Sequence, residues 1–419
     1  MNENRSTKTG PLAGLRIIDL THVMAGPVCT LLLADMGADV IKIERPHGGD
    51  DSRHMSPPTI GDQSAAFLMM NRNKRGLALN LKTEGGRQVL RRLIKTADIL
   101  VENFRPGALD KLGLGYGELT AIKPDLIWCS ISGFGRTGPY AERPGFDLMA
   151  QAMSGIMSFT GEGPGRPPVK VGAPIADITA GILAALGIVS ALHHRQQTGE
   201  GQQVDTSLFE AAILHTFWQS AMTFATGEAP APMGSAHPLD GPYQAFETSD
   251  GWVAVGAANQ NSWLKYAAAI GAAHLADDPR FATNPDRMRH LDELIDLLSP
   301  IMRKHTTQHW LDRLGAAGVP VAPVLNVAQM HQDPQARARG MIAEVMHSTL
   351  GAVQTLGSPV KFSRAPTTLG AGAPTLGEHS REVLLENRFS AEEIAALVAE
   401  GAVEISDTKG GDEKLQGHG

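Results

Sequence analysis

Two short apolar runs, LRIIDL (15–20) and ADVIKIE (38–44), flank one helix-length segment. Neither run alternates, so each reads as a strand covered on both faces. THVMAGP reads as the loop after the first strand. VCTLLLADM reads as a helix, with Pro27 at its first helical position and Gly37 as its stop. Strand, helix, strand in this order is a βαβ unit, which is right-handed. The pattern continues with a helix at 83–95 and strands in DILVENF (98–104), LIWCSISGF (126–134) and QQVDTS (202–207). Ser207 and Glu210 have the spacing of a capping box opening the helix FEAAILHTFWQSAM. The expectation is an α/β fold with a largely parallel sheet covered by helices.

The pattern changes near Gly227. GEAPAPMGSAHPLDGP (227–242) is a Pro/Gly/Ala-rich linker, and YQAFETSDGWVAVGA (243–257) is a hairpin turning at Asp250-Gly251. Helices dominate from Ser262 to Gly315. AGVPVAPVLN (317–326) reads as an extended return, 341–363 as further strands, and SAEEIAALVAEG (390–401) as a late helix. At 419 residues, two domains are the prior.

Composition narrows the function. A net charge of −7 argues against general nucleic-acid binding. The 15 histidines form no zinc-type cluster, and the two cysteines, Cys29 and Cys129, fit a reducing cytosol rather than a disulfide framework. The polar start MNENRSTKTG is unlike a signal peptide. The most apolar run, Ile178 to Leu192, falls short of the ~20 residues that span a bilayer and reads as a buried core helix. The last residues, SDTKGGDEKLQGHG, read as a disordered tail.

Several residues point to chemistry. GFGRTG (133–138) matches the dinucleotide pattern G-x-G-x-x-G. It lacks the helix that should follow at once and the acid that should end the next strand, so it reads as a flexible glycine loop near a ligand. Arg45 ends the second strand, where open α/β sheets bind ligands and where an arginine suits phosphate. Arg72, Lys74, Arg75 and Lys82 in NRNKRGLALNLK add positive charge, read either as an anion site or as a basic edge strand. Asp177 is the only charged residue between Lys170 and Arg195, at the start of a long apolar helix. It is either a helix cap, as Asp often is, or a carboxylate nucleophile. The two roles are compatible, because a helix N-terminus favours the charged carboxylate.

Six segments in order carry a resemblance: 11–53, NRNKRGLALNLKTEGG (71–86), ADILVENFRPGALDKLGLGY (97–116), VGAPIADITAGILAAL (171–186), GEGQQVDTSLFEA (199–211) and PTLGEHS (374–380). Together the chain resembles the class III CoA-transferases. The resemblance implies a large Rossmann-like domain (11–225 plus 319–405), a smaller α+β domain inserted at 226–318, a tail at 406–419, and an interlocked homodimer. It implies a cytoplasmic enzyme with no permanent cofactor, no metal and no membrane or nucleic-acid partner. Coenzyme A enters as substrate, moving between an acyl-CoA and a carboxylic acid.

By the same resemblance Asp177 is the nucleophile, passing through an aspartyl anhydride and an aspartyl-CoA thioester. Backbone N–H groups of the 133–138 loop stabilise the oxyanions. His22, Val23, Met24 and Ala25 form the loop over CoA. Arg45 meets the adenosine phosphates, and Leu79, Asn80 and Lys82 line the adenine and ribose. Asn103, Phe104 and Lys111 flank pantetheine and diphosphate, with Arg143 as a further contact. Met24 replaces the glutamine of the oxalate enzyme, and no tetraglycine loop lies near GAANQNSW; both speak against oxalate as acceptor. The linker pattern resembles succinyl-CoA-dependent dicarboxylate transferases, and Arg166 and Lys170 are candidates for a second carboxylate. The related α-methylacyl-CoA racemases make racemisation the rival activity, but they need a histidine where this chain has Phe146, which argues for transfer over racemisation. A non-catalytic acyl-CoA-binding protein is the third reading.

Overall fold

A computed structural model describes residues 9–406. It divides into two compact units. The first comprises residues up to Ser154, then Gly172–His215, and the chain from Arg337 onward; the second comprises Gly155–Val171 and Thr216–Ala336.

The first unit is built on β1 (Arg16–Asp19), α1 (Ala25–Asp35), β2 (Asp39–Glu44), β3 (Lys74–Leu79), α2 (Glu84–Ile94), β4 (Ile99–Glu102), β5 (Ile127–Ser132), α3 (Asp147–Met153), α4 (Ile175–Thr198), β6 (Gln203–Ser207), α5 (Leu208–Leu214) and β7 (Val403–Glu404). The sheet order is β7-β3-β2-β1-β4-β5-β6. All pairs are parallel except β7 with β3. β1 is central, with Ile18 opposite both Ile41 and Leu100, and all three are fully buried. The chain runs from β1 outward through β2 and β3, then returns to place β4 on the other flank of β1. The loops after β1 and β4 therefore part, and such a switch point opens a crevice at the strand carboxyl ends.

α4 is longer than its apolar run. At 24 residues, with a mean hydropathy of 2.0 over its most apolar 18, it passes, by length and composition alone, for a membrane-crossing helix, contrary to the expectation from Ile178–Leu192. Its packing is that of a core helix. Ala176, Ala180, Gly181, Ala184, Ile188 and Ala191 are buried. A Cβ on Gly181 would lie 2.6 Å from the Ala25 carbonyl oxygen and 3.0 Å from Val28 Cβ, so the small residue lets α1 and α4 cross closely. The other face leaves Ile182, Leu186 and Val189 exposed.

Two local readings are corrected. α1 begins at Ala25, so Pro27 is its third residue, where its missing N–H still costs no intrahelical bond. The helix expected from Phe209 to Met222 breaks at His215–Thr216: α5 ends at Leu214, and a second helix spans Phe217–Thr226. Ser207 does cap α5, accepting from Glu210 N–H and donating its hydroxyl hydrogen to the Glu210 carboxylate (2.7 Å).

In the second unit, strands Tyr243–Glu247, Trp252–Gly256 and Val321–Pro323 form an antiparallel sheet with the middle one central. The segment read as an extended return thus supplies that sheet's third strand. Helices between Gln260 and Ala316 enclose a core around Trp263, Tyr266, Phe281, Leu294, Leu298 and Trp310. In the first unit, Ile342–His347 and Gly351–Leu356 pair as a hairpin, and Ser390 with Glu393 forms a capping box for the helix Ala391–Ala399. Of the expected tail, Ser406 donates its N–H to the Gly377 carbonyl (3.3 Å), and 407–419 lie outside the described residues.

Candidate active site

The crevice at the switch point is a cleft of about 460 Å³. The loop after β1 contributes His22, Val23, Met24 and Ala25, and the segment after β2 adds Arg45 and Asp51. The loop after β4 contributes Asn103, Phe104, Arg105 and Pro106. β5 and its loop add Ile131, Ser132 and Gly133, and residues 141–146 close one side. Asp177 from α4 and Leu208 from α5 complete the wall.

The His22–Ala25 loop is held in a costly conformation. Val23 has φ +67°, a left-handed backbone that β-branched residues rarely adopt. Such strain costs about 1–3 kcal/mol and persists only where the surroundings over-determine it. Here they do. Val23 N–H donates to Asp50 Oδ1 (3.1 Å), and Lys42 Nζ donates to Asp50 Oδ2 (2.8 Å) and to the Thr21 carbonyl (2.9 Å). Lys74 Nζ donates to Asp19 Oδ2 (3.1 Å), the Pro27 carbonyl (3.1 Å) and Asn71 Oδ1 (2.9 Å). Asn103 clamps the loop from the side, accepting from His22 N–H and donating to the His22 carbonyl, each at 2.9 Å. Asp19, Lys42 and Asp50 are fully buried, and Lys74 nearly so. Burial alone would raise the Asp19 carboxyl; Lys74, Lys42 and the Thr21 and Thr30 hydroxyls override it and bring it to about 2. The same contest, won by Lys42 and Ser52, depresses Asp50.

The basic cluster of NRNKRGLALNLK is therefore mostly internal. Lys74 and Arg72 are buried and paired with Asp19 and Asp35; Arg75 pairs with Asp39, Glu382 and Glu386. β3 lies between β2 and β7 and is no edge strand. This corrects the reading of the cluster as an anion site: carboxylates distant in sequence neutralise it.

The glycine loop is anchored rather than free. Gly135 N–H donates to Ser132 Oγ (2.9 Å), and Phe209 N–H donates to the Gly133 carbonyl (3.1 Å). Arg136 donates to Glu102 Oε1 (2.6 Å), a buried carboxylate that burial pushes up against the pull of Ser130 and Arg136. Of residues 133–138 only Gly133 lines the cleft. A Cβ on Gly133 would sit 2.8 Å from Gly145 Cα. Gly133→Ala should therefore push apart the two loops flanking the cleft at a strain cost of about 1–3 kcal/mol. We expect at least a tenfold loss of kcat/KM in a folded protein, about the rate equivalent of the lower part of that range. A variant with unaltered kinetics would show that this contact does not shape the site.

Asp177 is not the helix cap. Pro174 occupies that position, and Asp177 is the third residue of α4. Among the described residues no donor hydrogen-bonds its carboxylate. Burial, and then the nearby Asp147 carboxylate, raise it to about 6. The expectation that the helix N-terminus keeps it readily ionised is corrected: burial and a like charge raise the carboxyl. The result is a poorly hydrated carboxylate facing a cleft.

Of the residues singled out in the sequence, the cleft gathers Asp177, His22, Val23, Met24, Ala25, Arg45, Asn103, Phe104 and Arg143. Arg45 pairs with Asp51 (2.5 Å), and Arg143 lies 4.0 Å over the Tyr140 ring. Leu79, Asn80, Lys82 and Lys111 are not in its lining. Leu79 is a core residue, and Asn80 N–H bonds the Ala402 carbonyl. Arg166 and Lys170 belong to the second unit, and Arg166 pairs with Glu162 (3.7 Å). Arg105 was missed. It follows a strand end just as Arg45 does, and the same rule applied to ENFRPG finds it. No group of three or more His, Cys, Asp or Glu could hold a metal ion among the described residues.

The family model for CoA-transferase family III matches residues 12–380. The chain belongs to CoA-transferase family III. It is an enzyme of the transferase class, acting on CoA thioesters. It is 43% identical over 388 residues to an acetyl-CoA:oxalate CoA-transferase of Acetobacter aceti, spanning 92% of this chain and 97% of that one. The succinyl-CoA:glutarate CoA-transferase of Homo sapiens is 36% identical over 400 residues, spanning 95% and 91%. A crystal structure of a CaiB/BaiF family protein from Brucella suis superposes with a TM-score of 0.81 at 41% identity, covering 91% of this transferase and all of that chain.

Proposed function

We propose that this transferase moves CoA from a dicarboxylyl-CoA, succinyl-CoA first among them, to a free carboxylic acid, with Asp177 as nucleophile. The observation that carries the reading is the Asp177 carboxylate, unbonded and poorly hydrated on the wall of the switch-point cleft. It attacks the thioester carbonyl: a C–O bond forms, the C–S bond breaks, and the electron pair leaves with the CoA sulfur. The thiolate then attacks the aspartyl carbonyl of the anhydride, releasing the first acid and leaving an aspartyl-CoA thioester. The incoming acid reverses both steps. Every proton and electron is accounted for without an external reagent. Arg45, Arg105 and Arg143 are the cations for the CoA phosphates. The N–H groups near Gly133 are the donors for the oxyanions.

Support for the dicarboxylate class comes from relatives named for succinyl-CoA with glutarate, mesaconate and D-citramalate, at 36–41% identity. The relative named for acetyl-CoA and oxalate, at 43%, favours oxalate as a second reading. A panel of acyl-CoA donors against free acids, read by mass spectrometry of the CoA products, separates them. Succinyl-CoA with a C5 dicarboxylate should give the highest kcat/KM; highest activity with oxalate would select the second reading.

The reading extends to assembly. An inserted smaller domain and an interlocked homodimer are supported by the apolar residues left exposed on α4, and separately by Phe217, Trp218 and Phe224 of the second unit. Light scattering should read twice the chain mass; a monomer would remove this part.

A further inference from the structure

We infer that Asp147 is a positioning residue that both fixes the start of α4 and, by charge repulsion, drives Asp177 toward its acylated state. The inference rests on Asp177 being the nucleophile.

The geometry is specific. Asp147 Oδ1 accepts the N–H of Ala176, the residue before Asp177, at 2.9 Å. Asp147 Oδ2 accepts from Gln151 Nε2 at 2.7 Å. The segment carrying Asp147 is set by the close approach of Gly145 to Gly133. Among the described residues no cation pairs with Asp147, so its charge stands beside Asp177 uncompensated.

The other charged groups on the elements around α4 are engaged or turned to the cleft. Asp205 of β6 accepts the Arg136 N–H, Glu210 of α5 accepts from Ser207, and His215 bonds Thr179. His22, Glu142 and Arg143 lie on the cleft wall. Of all these neighbours, Asp147 is the one whose charge acts on Asp177, adding to burial.

Repulsion between two carboxylates penalises the reactant, not the product. When Asp177 attacks the thioester, its charge passes to the departing sulfur and its own carboxyl becomes a neutral anhydride. The repulsion from Asp147 ends at that step. An interaction that destabilises the resting state and disappears on reaction lowers the barrier. Asp147 thus raises both the basicity and the reactivity of Asp177.

Asp147→Asn tests this. The amide oxygen still accepts from Ala176 N–H, and Gln151 can turn its oxygen toward the new NH2 at the expense of its long bond to the Ala173 carbonyl (3.5 Å), so the charge is the main loss. In the wild type the acid limb of kcat/KM for acyl-CoA should fall at about pH 6, where Asp177 titrates. In Asp147→Asn the limb should move down by about half a unit or more. At pH 8 kcat/KM should fall about two- to tenfold. The fraction of Asp177 trapped as adduct by hydroxylamine should fall with it. Asp147→Ser, a shorter uncharged acceptor, carries the same expectation should Asp147→Asn fold poorly. A loss of rate equal at every pH, with the limb unmoved and Asp177 still trapped, overturns the inference and leaves Asp147 as a structural acceptor. Wild-type turnover with Asp177 never trapped overturns the nucleophile reading itself.

Discussion

Asp177→Asn is expected to lower kcat for CoA transfer by on the order of 10³-fold or more, because an amide oxygen cannot form the anhydride. The same change should not weaken the fold. The carboxyl is raised to about 6 in the folded protein, well above its unfolded value near 3.9. A raised carboxyl opposes folding above pH 6, where it must ionise in a poor environment, and the opposition fades below it. Asp177→Asn removes that opposition, so at pH 7.5 the variant should melt no lower than the wild type. Activity falls while stability does not, which separates loss of the nucleophile from loss of the fold. Turnover within tenfold of the wild type would end the assignment of Asp177.

Lys42→Met should destabilise the fold more than the substitutions at Gly133, Asp147 or Asp177. Lys42 is fully buried, and its ammonium serves Asp50 and the Thr21 carbonyl. Removing one member of a buried ion pair leaves the other uncompensated, at a cost of about 3–5 kcal/mol. Denaturant unfolding reads this as a lower midpoint at unchanged slope. The pH dependence has a fixed sign. Asp19 and Asp50 are held below their unfolded values, so their contribution is complete above about pH 4 and is lost as pH falls toward 2. Without Lys42 the hold on Asp50 weakens, and the acid loss should begin at higher pH. Val23, whose N–H depends on Asp50, would lose the contact that keeps it at φ +67°. Acyl-CoA turnover should therefore fall even in the fraction that remains folded. A variant as stable as the wild type would mean that the buried charges do not hold the loop.

Five of the sheet's seven strands were legible in the sequence because they are short apolar runs between clear stops; β3 was read only as an alternative basic edge strand, and β7 was not read. Every strand named in the first half forms, within a residue or two. So was the placement of the cleft: Arg45 ends a strand, and the switch-point geometry brings it to the same cleft as Asp177. What failed to be legible was pairing at long range. Arg72, Lys74 and Arg75 look alike in sequence, and nothing nearby shows that Asp35, Asp19 and Asp39 will neutralise them. Asp147 was invisible for the same reason. Its role depends on a contact with Ala176, 29 positions away. The cap reading of Asp177 failed by three residues, because Pro174 opens the helix first.

Chemical trapping decides whether Asp177 is the nucleophile. The transferase is incubated with succinyl-CoA without acceptor, quenched with hydroxylamine, digested, and its peptides are weighed. A hydroxamate is expected on Asp177 and on no other carboxylate. An unmodified Asp177 peptide from an enzyme preparation that transfers CoA once acceptor is supplied would overturn this assignment.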